Sequence, residues 1–375
     1  MDGVAVLGLD VGGSSTRALL ATTRGERIGS GTAAGGNPSA HGARVAAGRI
    51  AEAVGAALAG VDAATVRGCV VGLAGVSRYA ADPATAEVFA HTWRRLGLTC
   101  PVRVVSDVAV AYAAGTARAS GSTLVAGTGA IAAEVRDREP VRLHDGYGWL
   151  LGDDGSGFWI GREAVRATLA AIDGRAARTE LADLVLARYF DGAAGLGSAG
   201  RTDPGAAHRA DLGGAGRADL GGADRADLGG ADRADLGGGG AGLGSAQRRL
   251  ATSLVQEVTR RPSVALASLA PLVMRACANG DPAAEGIVRR AADLLVATLS
   301  RARPADSDAP IVLAGAILTA STPVQREVFA RVTARWPRSG VSVARDGAAG
   351  AAWLAALPHV TGPAAAGDLH ARLLA

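Results

Sequence analysis

The sequence predicts an α/β fold built as two related halves, and three observations carry that prediction. Short apolar runs rich in β-branched residues alternate with segments of helical period along most of the chain. A strand running into a glycine turn and out into a second strand occurs twice, at VAVLGLDVGGSSTRALL (4–20) and at STLVAGTGA (122–130). The chain is 49% hydrophobic with 54 glycines and only 3% aromatics, so it has material for a core and small residues for close helix–sheet packing. Its 375 residues favour two domains over one.

In chain order, Val4 to Leu9 and Arg17 to Thr22 flank the first glycine turn as a hairpin. Asp10 is placed to hold a hydrated Mg²⁺, and Gly12, Gly13 and Ser14 can turn backbone amides toward phosphate oxygens. Read alone, the same residues also suit an ordinary hairpin. GTAAGGNPSAHG, Gly31 to Gly42, is a loop by composition. Within it Pro38 holds Asn37 extended, which fits a turn opener as well as a ligand contact. Ala43 to Ala59 is a helix, Cys69 to Leu73 a buried strand, and Thr85 to Leu96 a second helix.

VRVVSD, Val102 to Asp107, is a strand that ends in a carboxylate, where ligands of open α/β sheets gather. Asp107 reads either as the N-cap of a helix from Val108 to Ala114 or as a base that takes a hydroxyl proton during phosphoryl transfer.

Gly127, Thr128 and Gly129 open the second half as Gly12, Gly13 and Ser14 open the first, which implies two halves closing on one nucleotide. In GYGWLLGDDGSGFWIGREAV, Gly146 to Val165, the adjacent Asp153 and Asp154 repel each other unless a cationic or hydroxyl-rich group lies nearby. Asp154 reads as the cap of a helix beginning near Phe158, and Asp153 as a ligand contact. Helical period runs from Gly161 to Tyr189. Four octapeptides, RADLGGAG, RADLGGAD, RADLGGAD and RADLGGGG, then fill Arg209 to Gly240. They hold too little apolar surface to offset the entropy of ordering and match no solenoid period, so a disordered insertion without a catalytic role is expected. Helices return from Gln247 to about Arg301, broken near Pro262 and between Asn279 and Pro282. Pro310 to Ala314 is the last clear buried strand, and Gly315 behind it lets an adenine ring approach the backbone. A helix (Pro323 to Trp336), a short strand (Val341 to Ala344) and a small-residue helix (Gly347 to Leu357) follow.

Composition excludes several classes. The net charge is +4 and all 39 basic residues are arginine. A P-loop NTPase is excluded, because it needs a lysine to reach the β- and γ-phosphates. No concentrated basic stripe suits nucleic acid. Cys69, Cys100 and Cys277 are odd in number and lack metal-ligand spacing. The start MDGVAVLGLD has no basic n-region, and no apolar run reaches the roughly 18 residues that span a bilayer. A cytoplasmic protein without a nucleic-acid or membrane partner is expected.

Taken together, GLDVGGSSTRALL, the Asn37 loop, VVSD, AGTGA, GWLLGDDGSGFWIG, the strand with Gly315 and the terminal DGAAGAAWLA form a pattern. It resembles the sugar-kinase branch of the actin, hexokinase and Hsp70-like ATPases, with a BadF/BadG-type ATPase domain, specifically the N-acetylglucosamine and glucosamine kinases. The resemblance implies two ribonuclease-H-like lobes around a central nucleotide cleft, residues 1–116 and 117–375, with the low-complexity insertion at 193–245 in the second. It implies ATP and Mg²⁺, an amino-sugar acceptor phosphorylated at O6, and a homodimer. Asp10 would organise Mg²⁺ through water. Gly12, Gly13 and Ser14 would meet the γ-phosphate, Gly127, Thr128 and Gly129 the β- and γ-phosphates, and Gly315 would lie under the adenosine. Asn37, Asp107 and Asp153 would hold sugar hydroxyls, with Asp107 taking the O6 proton.

Three positions depart from the family pattern. Ser15 stands where a basic residue is usual, with Arg17 two places on; Asp154 replaces a common Glu; Ala316 replaces the second glycine after the strand. The two adjacent acids lean the acceptor toward glucosamine. The alternative reading is an activator or regulatory ATPase of the same fold with no sugar substrate, and an iron–sulfur activator would need paired cysteines near the nucleotide turns.

Overall fold

The computed structural model describes residues 3–190 and 244–375. The octapeptides Arg209 to Gly240, and all but the last two residues of the predicted insertion 193–245, lie outside the described residues. The first half runs β1 (Ala5–Val11), β2 (Ser15–Thr22), β3 (Arg27–Ala34), α1 (Pro38–His41), α2 (Ala43–Ala57), β4 (Val66–Leu73), α3 (Val76–Ala81), α4 (Pro83–Arg95), β5 (Val102–Ser106) and α5 (Asp107–Gly115). The second runs β6 (Gly121–Ala126), β7 (Ala130–Arg136), β8 (Glu139–Asp145), α6 (Gly157–Ile172), α7 (Glu180–Phe190), α8 (Ser245–Thr259), α9 (Ala270–Ala278), α10 (Pro282–Ala302), β9 (Ile311–Ala314), α11 (Ala316–Thr319), α12 (Pro323–Arg335) and β10 (Val341–Val343). Helices α13 (Gly347–Ala356) and α14 (Pro363–Leu374) close the chain.

The predicted internal relationship is visible in the strand order. One sheet is ordered β3-β2-β1-β4-β5 and the other β8-β7-β6-β9-β10. In each, the first three strands form an antiparallel meander, and the last two add in parallel to the first strand's free edge. Parallel addition requires a crossover, and helices supply it in both halves.

Period-two alternation sets the layers. On β1, Leu7, Leu9 and Val11 face α2 and α4, in one apolar cluster with Ile50, Val54, Phe89 and Trp93. Val6 faces the opposite way, toward α5, α13 and α14, so Asp10, four residues on, shares that face. The second sheet buries Leu124, Ala132 and Leu313 under α6, α9, α10 and α12. Its other face sets Val135 and Val312 against Tyr112 and Ala114 of α5. Helix α5 therefore lies between the two sheets, with α13 packed beside it.

Two features differ from expectation. Residues Gly31 to Ala34 belong to edge strand β3 rather than to a loop. Gly31, read as a loop signal, is there for close approach: a Cβ on it would lie 2.0 Å from Ala53 O, and one on Gly29 of the same strand 2.2 Å from Ala57 O, both on α2. Second, α13 and α14, placed by sequence in the 117–375 half, return to the first sheet. Fully buried Trp353 anchors them, donating from Nε1 to Ala366 O at 2.8 Å.

Candidate active site

The two glycine turns each close on a backbone bond, the second one residue tighter than the first, and they meet. Gly12 N–H closes the first turn on Ser15 O at 2.9 Å, and Gly127 N–H closes the second on Gly129 O at 2.9 Å. The amides of Gly13, Ser14, Thr128 and Gly129 make no bond to a described group. Four free N–H groups on two adjoining turns are a donor set of the kind that can take phosphate oxygens. Ser14 Oγ and Thr128 Oγ1 lie 3.2 Å apart, which joins the turns directly. Each turn is braced from behind. His41 Nε2 donates to Gly13 O at 3.1 Å, and Gly157 N at the start of α6 donates to Gly127 O at 2.8 Å.

Asp10 lies at the N-terminus of α13, where a Cβ on Gly347 would sit 2.4 Å from its Oδ2. Its carboxyl accepts no hydrogen bond from a described group. Loss of hydration first, then the charges of Asp107 and Asp346, push its pKa up to about 6, and Arg17 opposes them. Arg17 is the cross-strand partner of Asp10 in β2, so both project from one face of the sheet. It is also two residues from Ser15 and on the same face, so positive charge is present near the first turn despite the serine. An unpartnered carboxylate among other acids fits a hard divalent cation. Asp10 is the residue that would hold Mg²⁺, through water, and the ion would neutralise phosphate charge.

Asp107 opens α5. Ser106 Oγ caps the helix by accepting from Val108 N at 3.2 Å, and Asp107 Oδ1 accepts from the same amide at 3.0 Å. The cap is thus Ser106, and Asp107 is the first helical residue. Its Oδ2 takes no hydrogen bond from a described group. Withdrawal from water raises its pKa, against the Val108 amide and the Ser106 hydroxyl. Asn37 accepts at Oδ1 from Ser39 N at 2.8 Å as the cap of α1, so it does open a turn. Gly75, beyond the end of β4, leaves no room for a Cβ, which would lie 2.6 Å from Asn37 Oδ1.

Asp153 is buried and accepts at Oδ1 from Ala130 N at 3.1 Å, so its carboxyl lies against the second turn. Burial raises its pKa, the Ala130 amide lowers it, and Asp145 and Asp154 raise it further. Asp154 is exposed and does not cap α6; Ser156 Oγ does, accepting from Trp159 N at 3.2 Å. Gly315 has φ 84°, and a Cβ there would meet Ala126 O at 2.4 Å, so the strand end of β6 is its close neighbour.

Sequence reasoning assigned no role to Asp145, Asp346, His41 or Thr128's partnership with Ser14. Asp346 caps α13 through Ala349 N at 3.1 Å and pairs with Arg27. The acid directly before Gly-Tyr-Gly was the available signal for Asp145.

The model of the BadF/BadG/BcrA/BcrD ATPase family matches residues 7–355, which take in both glycine turns, Asp10, Asn37, Asp107, Asp153 and Gly315. The chain belongs to that family. Among curated proteins, the N-acetylmuramic acid/N-acetylglucosamine kinase of Clostridium acetobutylicum is 34% identical over 88 residues, 24% of this chain and 29% of that kinase's length. In structure, this family member is similar to a Chromobacterium violaceum protein assigned as an N-acetylglucosamine kinase, with TM-score 0.64, 20% identity, and 94% and 99% of the two chains covered. A ROK family glucokinase from Streptomyces griseus, solved with glucose and AMPPNP, superposes with TM-score 0.51 and 17% identity over 94% and 99% of the chains. At these identities the structural likeness shows the fold: two mixed sheets of the actin-like ATPase type. No single helix among the described residues is long and apolar enough to cross a membrane.

Proposed function

We propose that this BadF/BadG-type ATPase is a kinase that transfers the γ-phosphate of ATP to O6 of an amino sugar, with Asp107 as general base. One observation carries the reading: a half-buried carboxylate with a free oxygen opens the helix between the two sheets, electrostatically coupled to the acid beside the joined phosphate turns. Nucleotide binding alone has no use for such a base; an attacking hydroxyl, of a sugar or of water, does.

In this reading the amides of Gly13, Ser14, Thr128 and Gly129 receive β- and γ-phosphate oxygens, and Gly315 underlies the adenosine. Asn37 and Asp153 hold sugar hydroxyls. Asp107 Oδ2 accepts the O6 proton as O6 bonds to the γ-phosphorus and the β–γ bridging oxygen leaves with ADP. The raised pKa of Asp107 makes it a stronger base than an ordinary carboxylate.

The acceptor we favour is N-acetylglucosamine, with glucosamine second. A glucosamine acceptor would need Asp153 and Asp154 acting together, yet the first is engaged by Ala130 N and the second is exposed. The same loop instead exposes Tyr147, Leu150 and Leu151, apolar surface suited to an acetyl group. Against the iron–sulfur activator, Cys69 is buried in β4, Cys100 precedes β5 and Cys277 sits on α9; none lies at a phosphate turn.

The test is product analysis with Mg·ATP and each hexosamine in turn. Equal amounts of ADP and a sugar 6-phosphate, identified by phosphorus NMR, are expected. ADP release that no hexosamine accelerates would contradict the reading.

A further inference from the structure

The loop between β8 and α6 carries an acid that no step above uses. Asp145, the last residue of β8, has φ 66°. Aspartate is among the few residues with a side chain that visit this left-handed region, where a short carboxylate can bond nearby backbone amides. Its Oδ1 accepts from Gly146 N at 2.8 Å and from Asp153 N at 2.7 Å, and its Oδ2 accepts from Asp154 N at 2.9 Å. One carboxylate thus ties the start of the loop to its end. Gly152 fits beneath it, since a Cβ there would lie 2.2 Å from Asp145 Oδ1.

The tie bears directly on Asp153. Asp153 itself has φ 59°, and in that conformation its Oδ1 reaches Ala130 N while its carboxyl lies on Gly129. Apolar packing does little to hold the loop: Tyr147, Leu150 and Leu151 are 71%, 72% and 79% exposed, and Trp149 on Phe158, with ring centroids 5.6 Å apart, is its main hydrophobic anchor. Backbone bonds from Leu151 N and Gly152 N to Gly148 O and from Ser156 N to Asp153 O shape the loop locally, and the polar tie at Asp145 joins its two ends at Asp153.

We infer that Asp145 is the positioning residue of the acceptor site, clamping the loop from Gly146 to Asp154 so that Asp153 is held between the second phosphate turn and the sugar. The sugar part of this inference rests on the kinase reading; the clamp does not.

Two variants separate the carboxylate from the backbone. Asp145→Gly and Asp145→Asn both tolerate a left-handed φ, so neither changes the conformation at that residue. The glycine variant loses all three acceptor contacts. The asparagine keeps Oδ1 for Gly146 and Asp153 but turns a donor toward Asp154 N. In Asp145→Gly, KM for the sugar rises roughly ten-fold or more, with kcat within about three-fold and KM for ATP unchanged, because the contact acts on binding. Asp145→Asn falls between that variant and wild type.

The clamp is read independently by amide hydrogen exchange. Exchange is faster in Asp145→Gly at Ala130 and across residues 146–157, while β1 and β2 are unaffected. If wild-type protein phosphorylates no hexosamine, the kinase reading fails, and the exchange result still decides the clamp. Unchanged exchange at Ala130 and in the loop overturns the inference. So does turnover in which sugar KM is unmoved, or in which kcat and both KM values change together.

Discussion

Ser14 Oγ and Thr128 Oγ1 lie 3.2 Å apart although 114 positions separate them in the chain. Each stands at the tip of a glycine turn between antiparallel strands, so this contact joins the two halves where the proposed kinase site would hold its nucleotide. Thr128→Val removes the hydroxyl, and ATP affinity measured by calorimetry is expected to fall roughly ten-fold, about 1.4 kcal/mol. Ser14→Ala should cost a similar amount, and the double variant less than the sum, because one shared bond is lost once. Additive losses would mean that the turns act separately.

The contact between α5 and α13 is equally close. A Cβ on Gly350 would meet Val110 O at 2.6 Å and Ala114 N at 2.7 Å, both backbone atoms that cannot rotate away. Gly350→Ala gains helix propensity, up to about 1 kcal/mol, but overpacks a rigid contact at roughly 1–3 kcal/mol or more. A lower denaturation midpoint at unchanged slope is expected. A raised midpoint would show that the two helices have room to separate.

His370 pins α14 to the C-terminal end of α5. Its Nε2 donates to Ala113 O at 2.8 Å, and its ring stands edge-on to Trp353 at 5.0 Å and 82°. Loss of hydration lowers its pKa, against the Ala113 carbonyl, so the folded protein keeps it neutral where the unfolded chain protonates it. This contribution is present above the ordinary value of about 6.5 and is lost as pH falls below it. Asp10, raised to about 6, works in the opposite sense, since its folded form binds a proton more readily. Comparing wild type with His370→Gln isolates the histidine. From pH 7.5 to 5.5 the wild type should lose more stability than the variant, and parallel curves would contradict the assignment.

Much of the fold is legible in the sequence, for local reasons. Apolar runs ending in glycine turns, repeated once, announce the paired meanders, and Asp10 and Asp107 stand at strand ends that a reader can count. Gly31 was illegible as strand because this glycine serves contact with α2, which only tertiary structure reveals. The return of α13 to the first sheet depends on Val6, Trp353 and Leu369 meeting across the chain. Asp145 was missed because its function lies in accepting backbone amides eight and nine residues away, and residue type does not announce such bonds.

Coupled ADP release from Mg·ATP decides whether Asp107 takes a proton from a sugar hydroxyl. Wild type and Asp107→Asn are assayed with N-acetylglucosamine, glucosamine and glucose separately, alongside ATP binding and thermal stability. Turnover with an amino sugar is expected to fall by about 10²–10⁴ in the variant, while ATP affinity and folding persist. Equal turnover in the two proteins would remove Asp107 from the chemistry and contradict the account.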